Sequence, residues 1–331
     1  MTMDSQSLNV QEELLREKID PWLTDENLSA LATAALGVRV RCDGYSVLTG
    51  GLWNRVIAVS TEGGEKHLVF KLTPKIEDTA LRREYQVLQH FRAHTAMRVP
   101  APYLLDVSGN RLPGSLLIME KIPGTVLSEA YEHLSIKERA CISEQIAEHL
   151  VDLHTHRQAG FGGVEVEPEQ RAATWLDFWL PRYDATLAEA QAKGTVPDNL
   201  LAELHDIRRH FPPLLDIGSV GTLTHYDIWT GNVMVQLGGD QPYVTGYLDL
   251  MGYYADYTRE LSSMFRLADE RLMQLYEERH GLDKGFKARF SLYTLKMCLQ
   301  LVNMYPTDPR HMENARRHLQ AVQGYFTSHR S

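Results

Sequence analysis

Cysteine is scarce in this sequence. Its three cysteines, Cys42, Cys141 and Cys298, are odd in number and widely separated. That fits neither a disulfide framework nor a CxxC metal site, and they read as reduced, packed residues. Clustered basic charge is also missing: no run of five Lys or Arg occurs and the formal charge is -9, which argues against a nucleic-acid binder. No apolar stretch approaches membrane length. Asp4, Glu12, Glu13, Arg16 and Glu17 interrupt the start of the chain, so neither a secretory leader nor a span is expected and the protein reads as cytoplasmic. Neither G-x-S-x-G nor G-x-x-x-x-G-K-[ST] is present, which leaves hydrolase and P-loop readings without support. His149, His154 and His156 lack the H-E-x-x-H spacing of a zinc site. No internal repeat or low-complexity tract occurs.

What remains is an ordinary globular composition, 44% hydrophobic and 23% charged over 331 residues, enough for two packed lobes. Residues 45–72 alternate short apolar runs with Gly-bearing turns, as three strands of a meander do. Leu81, Tyr85, Leu88 and Phe91 then recur at helical spacing. Two further strand-like runs, 103–107 and 115–120, follow the breaks at Pro100 and Pro102. Beyond Pro123 and Gly124 the pattern turns helical, notably over 135–154 and 174–193, with brief strand candidates near Leu223, Val233 and Val244. The expected architecture is α+β, with an N-terminal antiparallel sheet and one main helix over residues 1–122, preceded by a helical extension at 8–36. A mainly helical lobe over 123–331 follows, with a hinge near residues 121–125.

The segment 223–235, LTHYDIWTGNVMV, places His225, Asp227 and Asn232 in the H-x-D-x-x-x-x-N spacing of a kinase catalytic loop. The chemistry needs that spacing: a carboxylate takes or orients the proton of an attacking hydroxyl, and a neutral amide oxygen nearby holds Mg²⁺ against the nucleotide phosphates. Asp227 is the expected base, Asn232 a metal ligand, and Gly231 the residue that lets the loop turn. Asp249, at the end of the next strand candidate, supplies the second metal ligand that charge on several phosphoryl oxygens demands. Upstream, Lys71 sits in an apolar strand, an odd place for an unpartnered cation, and Glu84 lies on the following helix. As a pair they would hold the α and β phosphates of ATP, with Gly50 and Gly51 in the covering loop. Met119, Glu120 and Ile122, just ahead of the hinge, complete the candidate nucleotide contacts. Each residue also has an ordinary structural explanation: Lys71 snorkelling, Glu84 solvated, Asp249 capping a turn. Order and spacing together favour the functional one.

These motifs resemble the aminoglycoside phosphotransferase-like kinase superfamily, and within it the fructosamine (ketosamine) kinases. The superfamily's H-G-D-x-x-x-x-N matches at His225, Asp227 and Asn232, and the fructosamine-kinase Leu-Trp-Ser/Gly-Gly-Asn is echoed by residues 228–232, with Trp229 supporting the loop. Its metal-binding Asp matches Asp249, and Asp256 and Glu260 fall in the corresponding places of its G-D-P-x-x-D-L-A stretch, where they would touch substrate or else cap the chain or pair with Arg259. The resemblance spans roughly residues 45–300 and implies a two-lobed protein-kinase-like fold. It also implies ATP and Mg²⁺ as cofactors, and transfer to a hydroxyl of a ketosamine or related amino sugar. Tyr226 replaces the usual Gly, and residues 250–254 depart from the family's Pro-Ala-x-x-Tyr-Gly; both flank the acceptor, so Tyr226 is a further substrate candidate. An aminoglycoside-type antibiotic phosphotransferase and a non-catalytic pseudokinase module are the alternatives. The acidic balance is compatible with a cationic acceptor; no nucleic-acid or membrane partner is expected.

Overall fold

The computed structural model describes residues 13–48, 54–63, 67–239, 241–263 and 270–328. The chain divides into two compact units. Among the described residues, one holds those up to Gly124 together with Thr245–Asp249; the other holds those of Thr125–Val244 and from Leu250 onward. The first unit is therefore discontinuous: the chain returns to it for five residues that end on Asp249.

In the first unit, α1 (Asp25–Leu36) is capped by the Thr24 hydroxyl and ends at Gly37, whose φ of 68° suits a residue without Cβ. Five strands follow: β1 (Cys42–Val47), β2 (Arg55–Thr61), β3 (His67–Thr73), β4 (Pro102–Asp106) and β5 (Ser115–Glu120). They form a sheet in the order β1-β2-β3-β5-β4, and every pairing is antiparallel. Side chains alternate across a strand. Leu68, Phe70 and Leu72 of β3 therefore share one face, where they form a core with Leu28 and Leu31 of α1, Ile57 and Val59 of β2, and Leu116 and Ile118 of β5. Lys71 points to the other face.

Between β3 and β4 runs α2 (Thr79–His94), with Asp78 accepting from the Ala80 and Leu81 amides at its start. Its buried residues are Leu81, Val87, Leu88 and Phe91, whereas Tyr85, expected on the core stripe, is half-buried. Glu84 lies three residues after Leu81 and four before Leu88, on the face they share. The returning segment is fastened by the Tyr247 amide to the Arg98 carbonyl at 2.9 Å and by the Thr245 hydroxyl to the Pro123 carbonyl at 2.6 Å. Gly246 is required there, because a Cβ would press on the Arg98 carbonyl oxygen and Ile122.

In the second unit, β6 (Thr125–Val126) pairs with β10 (Val233–Gln236); β11 (Tyr243–Tyr247) follows β10 in the chain and runs into the returning segment. A second sheet orders β7 (Arg157–Ala159), β9 (Val220–Thr224), β12 (Tyr253–Ala255) and β8 (Gly162–Gly163) as β7-β9-β12-β8. Helices supply the bulk. The first, α3 (Ile136–Leu153), opens with a reciprocal capping box between Ser135 and Glu138. Next, α4 (Trp175–Lys193) starts at the Thr174 cap and ends at Gly194. Further on come α5 (Asp198–Arg208), α6 (Tyr257–Ser263), α7 (Glu270–His280), α8 (Phe286–Met304) and α9 (Pro309–Ser328). Trp175, Trp179 and Tyr183 of α4 are fully buried against Leu292, Tyr293 and Leu299 of α8. The aromatic run of α4 is core.

A polar network crosses this core. Asp256 accepts from Arg289 Nε at 2.7 Å, from the Tyr293 hydroxyl at 2.7 Å and from the Thr258 amide at 2.9 Å, while Trp175 Nε1 donates to the Tyr293 oxygen at 2.7 Å. Asp256 and Arg289 are both buried, so each needs the other to offset desolvation. Replacing Arg289 with Met strands a buried carboxylate and is expected to lower unfolding stability by roughly 3–5 kcal/mol. Urea titration checks this: an Asp256→Leu/Arg289→Met double variant should regain much of the loss, and additive losses would speak against the pairing.

Candidate active site

The candidate catalytic loop begins where β9 ends. The Thr224 hydroxyl donates to the Tyr253 carbonyl at 2.9 Å, and the His225 carbonyl accepts from the amides of Met251 at 3.0 Å and Gly252 at 3.3 Å. Its entry is thereby tied to β12 and the residues leading into it. His225 is fully buried, and its Nδ1 lies 3.3 Å from the Asp227 amide, a geometry that positions the loop.

Tyr226 then adopts φ 76°, in the left-handed region that side chains disfavour. Its amide donates to Glu260 Oε2 at 2.9 Å. Glu260 has no solvent exposure, and burial pushes its carboxyl up to about 7 despite the opposing pull of the Tyr226 amide, the Arg259 charge, and the His225 and Ile228 amides. Further along, Asn232 Nδ2 donates to the Asp227 carbonyl at 2.9 Å and to Asp227 Oδ2 at 3.2 Å. One amide group thus fixes both the main chain and the side chain of Asp227. Gly231 is needed for close approach rather than for a special φ, since a Cβ there would collide with the Trp229 indole.

In the first unit, Lys71 Nζ lies 2.7 Å from Glu84 Oε1 and 2.6 Å from Asp249 Oδ1. Burial alone would depress the ammonium, but Glu84 and Asp249 outweigh it and hold Lys71 above its ordinary value. Asp249 itself has φ 53°, and its side chain is 59% exposed. Met119 and Ile122 are buried. Glu120 is taken up by Arg98, at 2.9 Å from Nη1, and by the Ala101 amide at 3.2 Å. Gly50 and Gly51 lie outside the described residues.

Among the described residues no group of three or more His, Cys, Asp or Glu is arranged to hold a metal. Burial, moreover, lowers His154 to about 3, and its Nδ1 meets the Tyr276 hydroxyl at 2.7 Å. The candidate metal ligands are of another kind. With its NH₂ turned to Asp227, Asn232 keeps an amide oxygen as donor, and Asp249 presents a solvent-accessible carboxylate. Each is a hard oxygen donor of the kind that Mg²⁺ takes.

Two sequence candidates sit inside the protein. Asp256 is enclosed by Arg289, Tyr293 and Thr258, and Glu260 faces the backbone of the catalytic loop. Arg259, expected only as a partner of Asp256 or Glu260, places its guanidinium carbon 4.3 Å from the Tyr226 ring centroid. Only the Tyr in place of Gly hinted that a partner was needed there.

A kinase-like fold carrying these groups defines a phosphotransferase that uses a hydroxyl acceptor. The chain belongs to the phosphotransferase enzyme family, whose model matches residues 44–282. Among solved structures it is similar to a candidate fructosamine-3-kinase from Haemophilus somnus 129PT, with TM-score 0.70 and 17% identity over 90% of this chain and 97% of that one. A second candidate fructosamine-3-kinase, from Thermobifida fusca YX-ER1, gives TM-score 0.69 and 19% identity over 88% and 98%. A ternary complex of APH(2″)-IIa with streptomycin and ATP gives TM-score 0.58 and 13% identity over 90% and 96%. At these identities the likeness is one of fold. No curated protein matches this chain.

Glu260 generates a pH-dependent prediction. Its folded value, about 7, lies above that of an unfolded Glu, so the folded state binds the proton more tightly. The stabilisation is fully present below the unfolded value and is lost as pH rises through about 7. Urea unfolding should show up to roughly 3 kcal/mol of decline over that window. Glu260→Gln should lack this component, and an unchanged slope in that variant would overturn the assignment.

Proposed function

We propose that this chain transfers the γ-phosphoryl group of ATP to a hydroxyl of a small polar molecule, with ketosamines and related amino sugars ranked first and aminoglycoside-type compounds second. The observation that carries this reading is the Asp227–Asn232 pairing, in which a single amide orients the carboxylate and keeps an oxygen donor for a metal. The acceptor hydroxyl donates to Asp227. As its oxygen forms the new bond to the γ-phosphorus, the bond from phosphorus to the β,γ-bridging oxygen breaks, ADP leaves, and the hydroxyl proton passes to the Asp227 carboxylate.

Lys71, held by Glu84, binds the α and β phosphates. Gly50 and Gly51 belong to the loop that covers them. Met119, Glu120 and Ile122 contribute through their main chain, since their side chains are buried or bonded elsewhere. Asn232 and Asp249 hold Mg²⁺, which when bound neutralises charge on the phosphoryl oxygens. The ATP in the APH(2″)-IIa complex and the two fructosamine-3-kinase-like folds support the nucleotide and the ranking of acceptors.

A phosphate-transfer screen over ketosamines, amino sugars and aminoglycosides tests the acceptor class. Asp227→Ala should lower kcat by roughly 10²- to 10⁴-fold while leaving nucleotide affinity nearly unchanged, because the lost group acts on the acceptor proton. Full activity in that variant would sink the proposal.

A further inference from the structure

In the second unit three cationic side chains, Arg259, Arg182 and Lys296, are grouped near the candidate catalytic loop, and among the described residues none of them is ion-paired. Arg259 of α6 stacks on Tyr226, the residue before Asp227, and its Nη1 bonds the neutral hydroxyls of Ser262 and Ser263. The Tyr226 ring meets Tyr253 with centroids 4.6 Å apart, Tyr253 meets Phe178 at 5.6 Å, and the Arg182 guanidinium lies 3.6 Å over Phe178. Among the described residues the guanidinium of Arg182, on α4, hydrogen-bonds only the Phe178 carbonyl. Lys296 stands on α8, which packs against both α4 and α6.

Among the described residues Lys296 makes no hydrogen bond or ion pair, and neither Arg182 nor Arg259 is ion-paired. Burial first, and then the charges of Arg259 and Arg182, press the Lys296 ammonium down to about 7. The one carboxylate that favours its charge, Glu189, is bound by Lys193 at 2.8 Å. Glu260, also close to Arg259, spends its Oε2 on the Tyr226 amide. Three cationic groups held close, at the expense of the ammonium and with Glu260 and Glu189 as the neighbouring acids, raise the local potential, an arrangement that a bound anion relieves.

We propose that the acceptor carries an anionic oxyacid group, carboxylate or phosphate, which Lys296, Arg259 and Arg182 hold against the aromatic wall of Tyr226, Tyr253 and Phe178 while its hydroxyl meets Asp227. This rests on the phosphotransferase reading of the same loop. It also accounts for Tyr226 in the place of a Gly, since that residue carries the ring on which Arg259 is laid.

Calorimetric titration of the full chain with two pairs of compounds tests it: the ketosamine of glycine against that of glycinamide, and glucosamine 6-phosphate against glucosamine. The anionic member of at least one pair should bind about tenfold tighter or more, and the pair that responds distinguishes carboxylate from phosphate. Lys296→Met keeps the apolar stem and removes an unpaired charge, so the fold should be unharmed and the preference lost. Arg182→Gln, at an exposed site, should weaken the preference in the same direction. Equal binding within both pairs, no binding of any of the four, or variants that weaken neutral and anionic members alike would overturn the inference. Phosphate transfer is read separately in the same mixtures: an anion preference without transfer upholds the site and counts against the phosphotransferase reading instead.

Discussion

A single carboxylate removed from water, Glu260, organises the loop on which the chemistry depends. Its Oε2 holds the Tyr226 amide, and Tyr226 is the residue whose backbone turns through the left-handed region to present Asp227. A non-glycine residue in that region costs about 1–2 kcal/mol, so something must hold it there. Burial raises the Glu260 carboxyl to about 7, which measures how unfavourable the site is for a free charge. The loop is bounded on its other side by the Asn232 amide and by the Trp229 indole over Gly231. Asp227 is consequently oriented from both flanks, the preorganisation that phosphoryl transfer would require of the base proposed for it.

Spacing made part of this legible. The interval from His225 to Asn232 was readable because the loop is local in sequence, and Lys71 with Glu84 because a cation in an apolar strand asks for a partner and the next helix offers one. Alternation in β3 explains why Lys71 could sit among core residues without joining them. The long helices were readable from their periods and caps, with Ser135 and Thr174 marking two starts. Strands of two or three residues, β6, β7, β8 and β12, carry no period and gave no signal. Nor did contacts between distant positions. Glu260 meets Tyr226 across 34 residues, and Arg289 meets Asp256 across 33. Family position put Asp256 and Glu260 forward as substrate contacts, or as caps or partners of Arg259. Their burial shows why position is insufficient: an acid can be retained to hold a neighbour, and its exposure, not its type, decides which role it plays.

Charge summed over the whole sequence does not by itself set the field at one site. A formal charge of -9 suits a cationic acceptor when averaged over the surface. The field at a site, however, is set by groups within about a Debye length, ~8 Å at physiological salt, and by what covers them. Around Tyr226 those groups are Arg259 and Arg182, with Lys296 beside them, and the acids nearest to them, Glu260 and Glu189, are occupied by the Tyr226 amide and by Lys193.

The tyrosine at position 226 joins these two arguments. Glycine would enter the left-handed region without strain and would not need Glu260 to hold it. Tyrosine needs that hold and in return places an aromatic ring under Arg259 and beside Tyr253. A guanidinium laid on a ring keeps its charge while its flat face is shielded, so it remains available at its edge to a planar oxyanion. The strain in the loop and the cationic wall are in this sense one feature: the side chain that makes the backbone unfavourable is the one that orders the charge next to Asp227.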